Sequence, residues 1–232
     1  ELCALFDVPM RALPEVREGF GHFGGTNADA AFPTEVPICG VMGDSQASLF
    51  GQRCFEPGTV KATFGTGSSL LLNIGAYPKC SDNGIVTALA WVRDGTPVYA
   101  FEGIIIAAAS TFTWLRDQLG LVSRASDVEA LAQEVPDSGG VHLVPAFSGL
   151  GLPYWRPDVR GAILGLSTHS DRRHVARAAL ESIGFQVREA LHAMRAEAGL
   201  ELGSLHADGG PTASQLLMQF TSDIVGVDLR VA

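Results

Sequence analysis

Three short glycine-marked segments carry the residues best suited to chemistry. Gly65-Thr66-Gly67 lies between two strand-like runs, Val60–Thr63 and Ser69–Ile74. A glycine on each side of a hydroxyl lets backbone approach an anion, and Thr66 adds a donor. An ordinary hairpin turn accounts for the same residues. Asp208-Gly209-Gly210 follows the strand-like run Ser204–Ala207 and precedes the helix-like run Thr212–Val225. Paired glycines in a strand–turn–helix bring a helix N-terminus close to a phosphate or nucleoside. A βα loop that needs positive φ is the plainer alternative. Gly43-Asp44 closes the apolar run Val36–Met42. A carboxylate at such a strand end can take a proton from a hydroxyl or hold a metal through water. It can equally cap the helix expected over Ser45–Gln52.

The elements that must position these residues alternate between strand and helix. Val36–Met42 reads as a short buried strand, and Gly21–Pro33 as loop or an irregular strand pair. Thr87–Val92 and Pro97–Phe101 form a hairpin around Asp94-Gly95. Ile104–Leu119 reads as helix, Ser126–Val135 as a short amphipathic helix, and Val141–Ala146 and Gly161–Leu166 as strands. The clearest helix runs from Arg172 to Ala198, capped by Ser170 or Asp171. Val175, Ala179, Ile183, Val187, Leu191 and Met194 form its apolar stripe, and Arg173, Arg177, Arg188 and Glu189 lie outside. Strands interleaved with helices predict an α/β protein.

Composition narrows the function. The 232 residues are 47% hydrophobic and 18% charged, which supports a sizeable core and argues against disorder. A net charge of −9 argues against a nucleic-acid binder or a polybasic membrane module. Anionic nucleotides remain compatible, because backbone N–H groups and a metal can hold phosphate. Cys3, Cys39, Cys54 and Cys80 match no zinc or redox spacing, so buried reduced thiols in a cytoplasmic protein are expected. No metal-ligand cluster is visible. The longest apolar run, Ile104–Ala109, is far too short to span a membrane. No nucleophile elbow surrounds Ser45 or Ser48, which leaves an α/β hydrolase without its motif. His174 and His206 read as structural, and Tyr154 and Trp155 as core or interface. The start at Glu1, without Met, is expected of a piece of a longer chain.

Taken in order, the motifs resemble those of the FGGY family of carbohydrate kinases, which includes glycerol kinase. The run from Gly43 to Gln52 (GDSQASLFGQ) is similar to the stretch that carries the family's catalytic aspartate. Glu56 to Gly67 (EPGTVKATFGTG) follows at the family's spacing. Val144 to Trp155 (VPAFSGLGLPYW) resembles another hallmark loop. Gly161–Leu166, with His174-Val175 and Ala178–Glu181, fits the second signature pattern. Asp208–Gly210 and Gln215–Phe220 complete the series, and the resemblance covers nearly the whole chain.

The resemblance implies an actin-like ATPase fold built from RNase-H-like domains, with a mixed sheet flanked by helices. Residues 1–39 would be the tail of an N-terminal domain and a connector, and residues 40–232 a C-terminal kinase domain cut short at its end. It implies ATP and Mg2+ as cofactors, a polyol or sugar acceptor, the N-terminal kinase domain as partner and a possible homo-oligomer. Asp44 matches the catalytic base. Gly65, Thr66 and Gly67 match residues near the β- and γ-phosphates, and Gly209, Gly210 and Pro211 the turn against the α-phosphate and adenosine. Ala109, Thr113 and Ser214 stand where glycerol kinase has Gly, Gln and Asn near the nucleotide. Ser45 replaces a Gln that reaches a glycerol hydroxyl, and Ser69 a Phe that packs on the glycerol carbons. The fragment alone would bind nucleotide weakly and transfer no phosphate. The rival within the same resemblance is a non-catalytic nucleotide-binding module.

Overall fold

The structure, a computed structural model, describes residues 1–27 and 32–232. Its centre is a six-stranded mixed sheet. The strands in chain order are β3 (Thr59–Phe64), β4 (Ser68–Gly75), β5 (Val86–Arg93), β6 (Thr96–Ile105), β9 (Ser204–Asp208) and β10 (Leu229–Val231). They lie side by side as β10-β9-β3-β4-β6-β5. β10, β9 and β3 run parallel, and β3, β4, β6 and β5 are antiparallel neighbours. Asp94 and Gly95 both take positive φ, as a tight two-residue hairpin between β5 and β6 demands.

Strand alternation gives the sheet two faces of different character. Val60, Ala62 and Phe64 of β3, Leu70 and Leu72 of β4, Phe101 of β6 and Leu205 of β9 share one face and are buried. Helix α5 (Arg172–Ala198) lies against this face, with α3 (Ser110–Asp117), α4 (Asp127–Ala132) and α6 (Gln215–Val225) packed around it. The predicted stripe of α5 is where it should be: Ala179, Ile183, Val187, Leu191 and Met194 are buried, and Val175 is half-buried. Asp171 caps the helix by accepting from Arg173 N–H at 2.9 Å, and His174 completes a capping box. Gly199 ends it in the left-handed conformation. The Arg173 guanidinium holds the Asp171 carboxyl well below the usual carboxylate range. Arg177 departs from its expected exposed place. It is largely buried and pairs with Glu181 at 2.6 Å, because one turn of helix sets the two side chains together.

The second face carries Lys61 and Thr63 of β3, Ser69 and Leu71 of β4, Glu102 and Ile104 of β6, and His206 and Asp208 of β9. Helix α2 (Asp44–Gly51) packs there over a smaller core of Leu49, Cys54, Leu71, Ala90, Trp91 and Ala100. Burial pushes the Cys54 thiol up to about 11. The expectation of buried thiols holds for Cys54 alone; Cys39 and Cys80 are exposed and Cys3 is intermediate.

Two further expectations differ from the structure. Ile104 and Ile105 belong to β6, pairing with Ser69 and Ser68, and the helix starts only at Ser110. A β-branched apolar run is ambiguous by pattern, and here strand pairing decides. The apolar run Val36–Met42 forms β2 (Pro37–Gly40), which pairs with β1 (Phe20–Gly25) in a separate two-stranded ribbon. Ile38 and Val41 are exposed instead of buried, because the ribbon lies outside the main sheet. The loop or strand pair expected over Gly21–Pro33 falls partly on residues 28–31, outside the described residues. Tyr154 and Trp155, read as core or interface, lie at the surface, which leaves the interface alternative. No described helix is long and apolar enough to cross a membrane.

Candidate active site

The site is built where parallel strands end. Thr63 of β3 stands opposite Asp208 of β9, so the Gly65–Gly67 and Gly209–Gly210 turns leave the sheet side by side. The carboxyl ends of parallel strands are where open α/β sheets take ligands. The first turn is pinned from behind. Gly65 C=O accepts from Ala109 N–H at 3.0 Å, and Thr66 C=O accepts from Ala108 N–H at 2.9 Å and Ser110 N–H at 3.1 Å. These bonds hold the residues that lead into α3 against the turn. Gly67 and Gly209 are required by close approach. A Cβ at Gly67 would lie 2.5 Å from the Ile105 carbonyl oxygen, and one at Gly209, at φ +97°, would lie 1.9 Å from that of Phe64. Gly65 is different: its φ is ordinary, and a Cβ would meet nothing nearer than 3.5 Å.

Two cavities flank the turns. The first, about 650 Å³, is lined by Asp44, Ser45 and Ser48 of α2, by Gly65, Gly67 and Ser68, and by second-face residues Thr63, Ser69, Glu102, Ile104 and Asp208. The second, about 340 Å³, is lined by Ala109, Phe112 and Thr113 on α3's side, Glu129 on α4, and Gly210, Pro211 and Ser214 after β9. The residues singled out from the sequence therefore fall into two clusters. Asp44, Ser45, Ser69, Gly65 and Gly67 meet in the larger cavity; Ala109, Thr113, Gly210, Pro211 and Ser214 meet in the smaller. Thr66 is exposed at the tip of its turn, and Gly209 is also exposed, next to Asp208 of the larger cavity and Gly210 of the smaller.

Asp44 is the first residue of α2 and is exposed; the N-cap is Gly43, and the helix has no side-chain cap. The plain capping role is thus absent. Asp44 Oδ1 accepts from Ser45 N–H at 2.7 Å. Ser45 Oγ and Ser69 Oγ lie 3.3 Å apart. Ser214 is itself an N-cap, its hydroxyl accepting from Leu217 N–H at 3.1 Å, which leaves its O–H free to donate to a ligand. The larger cavity's lining holds no histidine, so the Ser–His pairing that activates a hydrolase serine is missing beside Ser45 and Ser48. His174 serves the α5 cap and His206 meets Ser204 Oγ at 3.0 Å, both in structural roles.

Some lining residues were not assigned to a site from the sequence. Glu102 lines the larger cavity, together with Ser48, weighed only as a nucleophile, and the carboxylate of Asp208, named only as part of its turn; Glu129 lines the smaller while accepting from Leu216 N–H at 2.9 Å. The alternation Val60-Lys61-Ala62-Thr63-Phe64 does signal a polar face on β3. Which residues of β6 and β9 join that face depends on register, which no local pattern shows.

Against known proteins, residues 60–232 match the family model described as the FGGY family of carbohydrate kinases, C-terminal domain. The chain belongs to this family. It is 49% identical over 229 residues to a glycerol kinase from Stenotrophomonas maltophilia, and 48% identical over 230 residues to one from Carboxydothermus hydrogenoformans; each match covers 99% of this chain and 46% of the relative. Among solved structures, a Plasmodium falciparum glycerol kinase with ADP superposes with a TM-score of 0.91 at 35% identity, covering 99% of this chain and 46% of that one. A xylulose kinase from Rhodospirillum rubrum gives 0.80 at 26% identity, with 99% and 47% covered. The FGGY chain described here thus spans about half the length of the relatives it matches. Its mixed sheet flanked by helices is the actin-like ATPase fold of these sugar kinases.

Proposed function

We propose that this chain is the nucleotide-binding part of an ATP-dependent carbohydrate kinase that transfers the γ-phosphoryl group of Mg-ATP to a hydroxyl of a polyol or sugar. One observation carries the reading: two glycine turns converge at parallel strand ends, and an exposed carboxylate, Asp44, whose Oδ1 meets, among the described residues, only the N–H of the next residue, lines the same cavity. Residues 1–39 act as the tail of a preceding domain and connector, and residues 40–232 as the C-terminal kinase domain. The exposed apolar side chains of the β1–β2 ribbon support a covering N-terminal partner.

In this reading Asp44 accepts the proton of the attacking hydroxyl. Gly65, Thr66 and Gly67 lie along the β- and γ-phosphates, Gly209, Gly210 and Pro211 along the α-phosphate and ribose, and Ala109, Thr113 and Ser214 around the base. Positioning and electrostatics supply most of the rate in such transfers. Asp44, Glu102 and Asp208 make the larger cavity acidic. Phosphate charge must therefore be met by backbone N–H groups and by Mg2+, which favours one or two carboxylates plus water and phosphate oxygens. No group of three or more His, Cys, Asp or Glu that could hold a metal exists among the described residues, so the fit is to a hydrated ion near Asp44. Bound there, Mg2+ would neutralise the charge that builds up on the transferring group.

A non-catalytic nucleotide module would need both cavities but not Asp44, whose carboxylate caps nothing. Hydrogen–deuterium exchange on the full-length protein tests the assignment. Mg-ATP should protect residues 64–68, 107–113 and 208–216 and leave 86–95 unchanged; protection confined to other segments contradicts it.

Gly65 offers a sharper test, because the fold does not require glycine there. Gly65→Ala should leave Tm unchanged and weaken Mg-ATP binding about tenfold, since a methyl group would stand between turn and phosphate. Equal ATP affinity for both proteins, by titration calorimetry, would remove Gly65 from the phosphate site.

Ser69 bears on the acceptor. Its small side chain lies beside Ser45 where an aromatic ring would close the cavity, which leaves glycerol with fewer dispersion contacts and favours a four- or five-carbon polyol or ketose. Ser69→Phe should move kcat/KM towards glycerol by about tenfold, the scale of one modest apolar contact. A panel of glycerol, erythritol, xylulose and ribulose decides it: glycerol as the best acceptor of the unaltered enzyme contradicts the idea.

A further inference from the structure

The second face of the sheet holds a buried charge that phosphotransfer, as described, does not use. Lys61 is fully buried, and its ammonium has no hydrogen-bond partner among the described residues. Asp208 Oδ1 is also buried without a partner. Lys61 pairs across the sheet with His206 and Thr63 with Asp208, which makes Lys61 and Asp208 diagonal neighbours on one face. Burial lowers the Lys61 pKa, while Asp208, then Asp44 and Glu102, act in the opposite direction. A cation so placed is tolerated because carboxylates surround it.

The other oxygen of Asp208 reaches across to helix α2. Asp208 Oδ2 accepts from Ser48 Oγ at 2.5 Å and from Gln52 Nε2 at 2.7 Å, and Gln52 Nε2 also donates to Ser48 Oγ at 3.0 Å. Asp44, Ser48 and Gln52 stand four residues apart, so they form one stripe along α2 and its C-terminal end. Fixing Ser48 and Gln52 therefore fixes the rotation and height of Asp44. Asp208 is also the last residue before the Gly209–Gly210 turn.

We propose that Asp208 is a positioning residue: through its Oδ2 contacts with Ser48 and Gln52 it clamps the helix that begins with Asp44 to the turn that holds the nucleotide. The clamp rests on the reading of Asp44 as the base. It sets the distance between the proton acceptor and the phosphates, a distance on which transfer depends steeply.

Steady-state kinetics on the full-length enzyme tests it. Asp208→Asn keeps an acceptor oxygen and removes the charge; Gln52→Leu removes one donor at a residue that does not line the cavity. Asp208→Asn should lower kcat about 10- to 100-fold and Gln52→Leu about three- to tenfold, with KM for Mg-ATP and acceptor within about threefold of normal. The double variant should be no slower than Asp208→Asn alone, because both act through one contact. A merely structural role would lower Tm while leaving kcat per folded molecule intact. Normal kcat per folded molecule in both variants, losses confined to KM, or losses that multiply in the double variant would each overturn the clamp. If Asp208→Asn does not fold, normal kcat in Gln52→Leu alone overturns it. Asp44→Asn, run in parallel, separates the two ideas. An inactive Asp44→Asn beside fully active clamp variants overturns the clamp only, whereas an active Asp44→Asn overturns the base assignment and the clamp with it.

Discussion

Asp44→Asn in the full-length enzyme is expected to lower kcat by about two to four orders of magnitude, since general-base loss acts on the transition state alone. Asparagine has nearly the shape of aspartate, and its side-chain oxygen can still accept from Ser45 N–H as Asp44 Oδ1 does. Helix α2 should therefore keep its place, and ATP binding should hardly change. The structure removes the main alternative for this carboxylate, because Gly43 is the N-cap and no side chain caps α2. Near-normal turnover with Asn at position 44 would show that another group takes the proton.

Ile183→Asp should be the most destabilising single change in the α5 layer. Ile183 is fully buried at the middle of α5, within the large core between helix and sheet. An aspartate there would be a charge without a partner in apolar surroundings, at a cost of about 3–5 kcal/mol. Domains of this size are stable by only about 5–15 kcal/mol, so urea denaturation should show a large fall in midpoint. Arg188→Ala on the exposed side of the same helix is the control, expected to stay within about 0.5 kcal/mol. An unchanged midpoint for Ile183→Asp would mean that the buried face of α5 is misassigned.

The extent of helix α5 was legible because a sustained 3.6-residue stripe follows a cap at Ser170 or Asp171; the structure assigns the cap to Asp171 and ends the helix at Gly199. The hairpins β3–β4 and β5–β6 were legible from their glycine turns. The end of β6 was not, since Ile104-Ile105-Ile106 suits helix or strand, and only pairing with Ser68 and Ser69 settles it. The β1–β2 ribbon was misjudged for a related reason. Apolarity signals that a segment is covered by something, but not that the cover lies within these residues. Of the site, the glycine turns and Asp44 could be named from local residue types. Lys61, Glu102 and the reach of Asp208 to Ser48 and Gln52 could not, because contacts across more than a hundred residues of chain have no local signature. Arg177 shows the same limit: a charge on an amphipathic helix reads as exposed until a partner such as Glu181 is seen to bury with it.

The central claim is that the cavity beside Asp44 moves phosphate from ATP to a carbohydrate hydroxyl. Its most direct test is to follow the γ-phosphate itself. The full-length protein would be incubated with Mg2+, γ-labelled ATP and a mixture of glycerol, tetritols and ketopentoses. Label should pass to a phosphorylated polyol or sugar, and should not do so when Asp44 is replaced by Asn. Label that stays in bound ATP, or that is released as inorganic phosphate at the same rate with and without acceptor, would contradict the claim.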